Sequence, residues 1–128
     1  MNVVKLKRAA AELADYWSPR VVGEIDDAYV KVAKLKGTLA WHTHEREDEM
    51  FLVLKGRLRI EMQDIILELQ EGEMFVVPKG TRHNPVADDE CHVLLIERKS
   101  TAHTGDVITD KTRSIEEQLA GTNAVSQS

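Results

Sequence analysis

The chain reads as an all-β protein, an antiparallel sandwich or barrel with one short helix near each end. Three observations predict this. Apolar residues recur with period two in short runs, as Leu58, Ile60 and Met62 do against Arg57, Arg59 and Glu61. Glycine turns separate the runs, at Lys55-Gly56, Glu71-Gly72-Glu73 and Pro78-Lys79-Gly80. No helical pattern stands between the strands, which excludes the alternating βα order of a parallel sheet.

Residues 5–16 begin the chain differently. Leu6, Ala9, Ala10, Leu13 and Trp17 have the spacing of one apolar helix face. Ser18-Pro19 ends that helix, because proline disfavours helical backbone in the residue before it. Residues 21–35 switch to period two, with Tyr29, Lys31, Ala33 and Leu35 against Val30, Val32 and Lys34. Gly37 interrupts, and residues 38–44 read as a further strand. Met50 to Leu54 is continuously apolar and too short for an ordinary helix, so a buried strand is expected. Gln63-Asp64 makes a hairpin between the Leu58 run and Ile65, Leu67 and Leu69. Residues 74–77 form a short strand, and Pro78-Lys79-Gly80 suits a turn with proline second. Residues 91–97 are the last strong strand. Ser114-Ile115-Glu116-Glu117 has the pattern of a capping box, opening a second short helix that stops at Gly121. The polar residues 122–128 are expected to be mobile.

A length of 128 residues suits one domain with one core. The net charge of -5 argues against a nucleic-acid partner, which would need a basic patch. Residues 1–14 carry Lys5, Lys7, Arg8 and Glu12 without an unbroken apolar core, so they are not expected to act as a signal peptide. No run has the length that spans a bilayer, and no membrane partner is expected. Cys91 is alone, which fits a reducing interior. The expected location is the cytoplasm.

Chemistry concentrates in Trp41-His42-Thr43-His44 and the acidic segment after it. Alternate strand residues share a face, so His42 and His44 point the same way. Glu49 lies an odd number of residues beyond His44 and joins them only if a loop over residues 45–48 breaks the strand. His83 arrives from another strand, aimed by the turn at Pro78 to Gly80. Three imidazoles and a carboxylate at one point suit a divalent transition metal with open positions, whereas a closed structural zinc site would need more cysteine.

These residues resemble a known family. Gly37-x4-His42-x-His44-x4-Glu49-x6-Gly56 resembles the first cupin motif, G-x5-H-x-H-x(3,4)-E-x6-G. Gly72-x5-Pro78-x-Gly80-x2-His83 resembles the second, G-x5-P-x-G-x2-H-x3-N. The first is one residue short before His42, and Ala87 replaces the closing asparagine of the second while Asn84 follows His83. Neither departure removes a ligand. The resemblance, to small single-domain cupins, implies a double-stranded β-helix, or jelly-roll barrel. It implies a barrel core over residues 37–100, an N-terminal helix and strand over 1–36 packed on it, and a C-terminal extension over 101–128. It also implies that His42, His44, Glu49 and His83 bind the metal, which would be iron, manganese, nickel or zinc, with Asp48 as the substitute should the loop be tighter.

Around that site, Thr38, Ala40, Phe51 and Val53 are expected to line a small apolar pocket for a modest organic ligand. Arg57 and Arg59 read as a solvated outer face. Lys79 and Arg82 stand near the expected mouth. Cys91 and His92 suit core or interface roles, and His103 lies in a loop that approaches the mouth without being a ligand. Two functions follow. One is a metalloenzyme of the dioxygenase, decarboxylase or isomerase type, with Glu49 as the ligand able to loosen and take a proton. The other is a non-catalytic, metal-dependent module that binds or senses a small molecule. The segment before Gly37 has no room for two packed helices, which disfavours direct gene regulation. Trp17, Val21 and Val22, with residues 29–35 as an extra strand, are expected to build a homodimer.

Overall fold

The computed structural model describes residues 2–119. Its elements are α1 (Leu6–Ala11), β1 (Arg20–Ile25), β2 (Ala28–Thr38), β3 (Glu49–Lys55), β4 (Leu58–Met62), β5 (Ile66–Leu69), β6 (Met74–Val77) and β7 (His83–Arg98). All strand pairs are antiparallel, and the main path runs β1-β2-β7-β3-β6, with β4 joining β7 and β5. This is the expected jelly roll.

The long strand β7 organises it. Its first residues, His83 to Val86, pair with β4, and its later residues, His92 to Glu97, pair with β3. Between them Asp88, Asp89 and Glu90 are exposed, opposite a register shift in β2 between Leu35 and Gly37. A bulge of this kind bends a strand and lets it pair with β4 at one end and β3 at the other. Gly56, in the β3–β4 turn, packs against that bend. A Cβ there would stand 2.8 Å from the Glu90 carbonyl oxygen, and its φ of +86° favours glycine independently.

The core is the inner face of the period-two strands. Ala33 and Leu35 of β2, Phe51 and Val53 of β3, Leu58 and Ile60 of β4, and Cys91, Val93 and Leu95 of β7 form one buried cluster with Trp17. A smaller cluster joins Ala9, Ala10 and Leu13 to Val32 on the outer face of β2. No helix among the described residues is long and apolar enough to cross a membrane.

Several sequence expectations change. The N-terminal helix is shorter than residues 5–16, ending at Ala11. Residues 21–35 are not one strand but the hairpin of β1 and β2, turned at Asp26-Asp27. Asp26 has a φ of +49°, and aspartate tolerates that left-handed conformation better than most residues do. Strand β2 continues past Gly37 to Thr38, while the segment after it is a loop with one bridge, His42 to His83. The last strand begins at His83 rather than at residue 91.

The Gln63-Asp64 hairpin is present, closed by Met62 N–H donating to the Ile65 carbonyl at 2.9 Å. The capping box is present as well. Glu117 N–H donates to Ser114 Oγ at 3.2 Å, and Ser114 N–H to Glu117 Oε1 at 3.0 Å. The helix stop at Gly121 and residues 122–128 lie outside the described residues. Of the residues expected to drive association, Trp17 and Val21 are 5% and 2% exposed, while Val22 is half-buried.

Candidate metal centre

Three separate elements bring the four expected ligands together. His42 and His44 lie on the β2–β3 loop, Glu49 opens β3, and His83 opens β7. Paired backbone hydrogen bonds fasten the first motif to the second: His42 N–H to the His83 carbonyl and His83 N–H to the His42 carbonyl, each 2.9 Å. Gly80 N–H donates to the His44 carbonyl at 2.8 Å, which holds the turn before His83 against the same loop. Asp48, the alternative acid, caps Lys79 N–H at 2.9 Å instead, outside the cluster.

All four side chains are buried, and one donor atom from each falls within 4.8 Å of the others. Two imidazoles are oriented by the backbone. His42 Nδ1 lies 2.8 Å from the Ala40 carbonyl, and His83 Nδ1 lies 2.9 Å from the Thr81 carbonyl. A carbonyl accepts only, so Nδ1 carries the proton in both rings and Nε2 keeps its lone pair. The Nε2 atoms of His42, His44 and His83 and Oε1 of Glu49 are fully enclosed without a well-directed hydrogen bond. Nε2 of His44 and His83 stand 3.3 and 3.4 Å from Glu49 Oε1. Enclosed polar atoms without partners are unfavourable. Donors across one ion stand roughly 4.2 Å apart, so a small contraction closes this quartet around a metal. The residues fit a divalent transition ion.

The charges at His42 and Glu49 suit that use, while at His44 a proton competes with a metal. Burial lowers His42 to about 4, and the backbone contact to Ala40 opposes only part of this, so the ring is neutral at pH 7. Burial also works against charge on Glu49, yet contacts from His44 and His83 outweigh it and hold the carboxyl well below the usual range. For His44, burial is outweighed by Glu49 and its acidic neighbours, and the pKa is raised. A carboxylate held so low keeps its charge, as a ligand must.

Behind Glu49 lies a pair that sequence reasoning passed over. Glu97 is directly opposite Glu49 in the β3–β7 register, which sets the two buried carboxyl groups side by side. Lys31 Nζ is 2.7 Å from Glu97 Oε1, and both side chains are essentially unexposed. Burial and the charge of Glu49 push Glu97 up to about 8, against the pull of Lys31. The signal was available: period two puts Lys31 on the same face as Ala33 and Leu35, and Glu97 on the face of Val93 and Leu95.

A cavity opens beside the quartet. His42, Glu49, Phe51, Leu95, Trp17 and His103 are among its walls, and the space open to a water-sized sphere is about 30 Å³. Phe51 lines it as expected, while Thr38, Ala40 and Val53 do not. Residues 39–44 are not a strand, so strand alternation does not carry Ala40 to the site, and Thr38 ends β2 away from it. Thr38 Oγ1 donates to Asn84 Oδ1 at 3.0 Å instead. The segment 101–113 crosses beside the ligand loop. Thr43 N–H donates to Asp106 Oδ1 at 2.9 Å, and Asp106 N–H to the Thr43 carbonyl at 3.2 Å.

Other singled-out residues are placed outside this centre. Arg59 pairs with Asp88 at 2.8 Å, and Arg57 with Glu68 at 3.6 Å, both on the surface. Arg82 lies over the Trp41 ring, 5.0 Å from its centre. Cys91 is buried in the core, which pushes its thiol up to about 12, and His92 Nε2 contacts Glu90 at 2.8 Å.

A cupin-domain family profile matches residues 28–97, more than half of the chain. The chain belongs to the cupin family. This cupin is similar to a solved cupin-2 domain protein of Shewanella frigidimarina NCIMB 400, with 40% identity, a TM-score of 0.73, and coverage of 75% of this chain and 94% of that one. It is 36% identical to YdbB of Bacillus subtilis (strain 168) over 63 residues, 48% of this chain and 56% of that protein. It is 33% identical over 89 residues to 3-hydroxyanthranilate 3,4-dioxygenase 2 of Aspergillus fumigatus, covering 65% of this chain and 46% of the dioxygenase. The chain spans about half the length of these curated relatives.

Proposed function

We propose that this cupin is a small-molecule metalloenzyme, with His42, His44, Glu49 and His83 holding one divalent ion at an open site. The observation that carries the reading is the convergence of three imidazoles and one carboxylate, each with an enclosed donor atom lacking a directed partner, beside a mostly apolar cavity. When bound, such an ion supplies Lewis-acid or redox chemistry at its free positions. The chain supplies the rest. Phe51, Leu95 and Trp17 exclude water, Glu97 braces Glu49, and Lys31 offsets the carboxylate charge. Similarity to a dioxygenase over part of its length supports an oxygenase, though a cupin fold also hosts decarboxylases and isomerases.

A second reading, a binding module without turnover, is favoured by one observation: the cavity of about 30 Å³ has room for about two waters, too little for an aromatic ring as it stands. The two separate on metal-loaded protein assayed for oxygen uptake and product formation over small acids, diketones and hydroxylated aromatic acids. Turnover that vanishes with chelation supports the enzyme. Tight ligand binding without turnover on iron, manganese, nickel or zinc supports the module. Glu49→Gln separates Glu49's two roles, since loss of metal marks a ligand, whereas loss of turnover with metal retained supports the proton-taking role.

A further inference from the structure

We propose that His103 is a ligand-binding residue, the hydrogen-bond donor that receives a carbonyl, enolate or carboxylate oxygen of a small molecule in the cavity beside the quartet. This rests on the metal-centred reading above and adds the chemical class of ligand to it.

His103 does not belong to the barrel. It sits on the 101–113 segment, is 6% exposed, and lines the cavity together with His42 and Glu49. The remaining walls are apolar, except that Trp17 carries one N–H, which is already donated to the Lys36 carbonyl at 2.7 Å. His103 is therefore the one polar lining side chain, among the described residues, that lies outside the quartet and has donor capacity to spare.

Its tautomer follows from a single contact. Arg113 N–H donates to His103 Nε2 at 2.6 Å. An Nε2 that accepts carries no proton, so the proton of the neutral ring is on Nδ1. Burial and the nearby Lys31 charge lower the ring to about 4, so it is neutral at pH 7. Nδ1–H has no hydrogen-bond partner among the described residues, and it is not among the fully enclosed orphan atoms. A donor on a largely buried ring that still meets open space is free to take an acceptor.

The selectivity follows from the same geometry. A neutral N–H in a mostly apolar recess donates to an electron-rich oxygen and rejects an ammonium group, which has donors only. The cavity admits only a few non-hydrogen atoms beside the quartet, so the recognised part of the ligand is its oxygen-bearing end. The segment carrying His103 is clamped to Thr43, between two of the quartet residues, through Asp106. Donor and quartet are thereby held in one frame.

The test uses the full chain loaded with cobalt(II), with azide as the anionic probe followed by visible absorption. His103→Phe should bind cobalt at unchanged stoichiometry and bind azide about tenfold or more weakly, the loss expected for one hydrogen bond to a charged acceptor. His103→Gln, which keeps an N–H, should recover most of the affinity. On the unaltered zinc-loaded chain, nitrogen-15 NMR of the imidazoles should show a protonated Nδ1 and a bare Nε2 at His103, with the Nδ1–H resonance moving on azide addition. Equal azide affinity in His103→Phe, or an Nε2-protonated ring, would overturn the inference. If the variants do not fold, the tautomer and its response to azide in the unaltered chain decide it. Failure of the unaltered chain to take up cobalt would overturn the metal-centred reading and this one with it. Cobalt uptake with azide indifferent to His103 would overturn this one alone.

Discussion

Burying Lys31 beside Glu97 costs several kcal/mol before their attraction is counted, so stability alone does not account for the pair. Its place against Glu49 gives a reason, since it braces a carboxylate in the quartet. Lys31→Met is expected to cost about 3 kcal/mol, at the low end for a broken buried pair because Glu97 can keep a proton. Adding Glu97→Leu should recover most of that loss in urea unfolding, and a double variant no more stable than the single one would contradict the account. Titration makes a second prediction. His42 and His103 fall to about 4 from an ordinary 6.5, so between these values the unfolded chain binds more protons and stability is lost as pH falls. Glu49, held low, acts in the same direction on the acid side. Glu97, raised from 4.5 to about 8, acts oppositely: its contribution is lost as pH rises through that range. The unfolding temperature of the metal-free chain should therefore peak at roughly pH 6–7. A monotonic rise to pH 8 would contradict it.

At the scale of elements, the 101–113 segment locks the ligand loop from outside the barrel. Gly105 permits that lock, with a φ of +61° and a Cβ position that meets the Thr43 carbonyl oxygen and comes within 2.9 Å of the His42 ring. Gly105→Ala must displace either the segment or His42. It should cost about 1–3 kcal/mol and weaken zinc binding in a competition titration. Unchanged affinity would mean that the segment is not part of the metal centre's frame. The ligand spacing, the buried run before Leu54, the 63–64 hairpin and the capping box were legible in the sequence, because each is set by neighbours a few residues apart. The β1–β2 turn was not, because Asp26-Asp27 lacks the glycine that marks most two-residue turns. Nor was the early start of β7, where Pro85 and the acidic residues 88–90 hide a strand whose partners lie far away in sequence. The cavity walls were misread for the same reason: Ala40 was given strand alternation that the loop lacks, and His103 reaches the cavity only through tertiary packing.

At the scale of the whole molecule, one edge of the sheet is β1 and another is β6, with Ile25 exposed on the first and Met74 and Val76 on the second. Unpaired edges with apolar side chains favour pairing about a two-fold axis. With Trp17 and Val21 buried, the proposed homodimer would form through the β1 edge. Light scattering at micromolar concentration should give twice the chain mass, and Ile25→Lys should shift it toward the monomer. A monomeric mass for the unaltered chain would refute the dimer. The central claim is that the quartet is one metal centre, and metal content after loading and desalting tests it most directly. The account predicts one ion per chain, lost on acidification through the histidine range and lost in His44→Ala while the fold is retained. Full occupancy in a folded His44→Ala would contradict it.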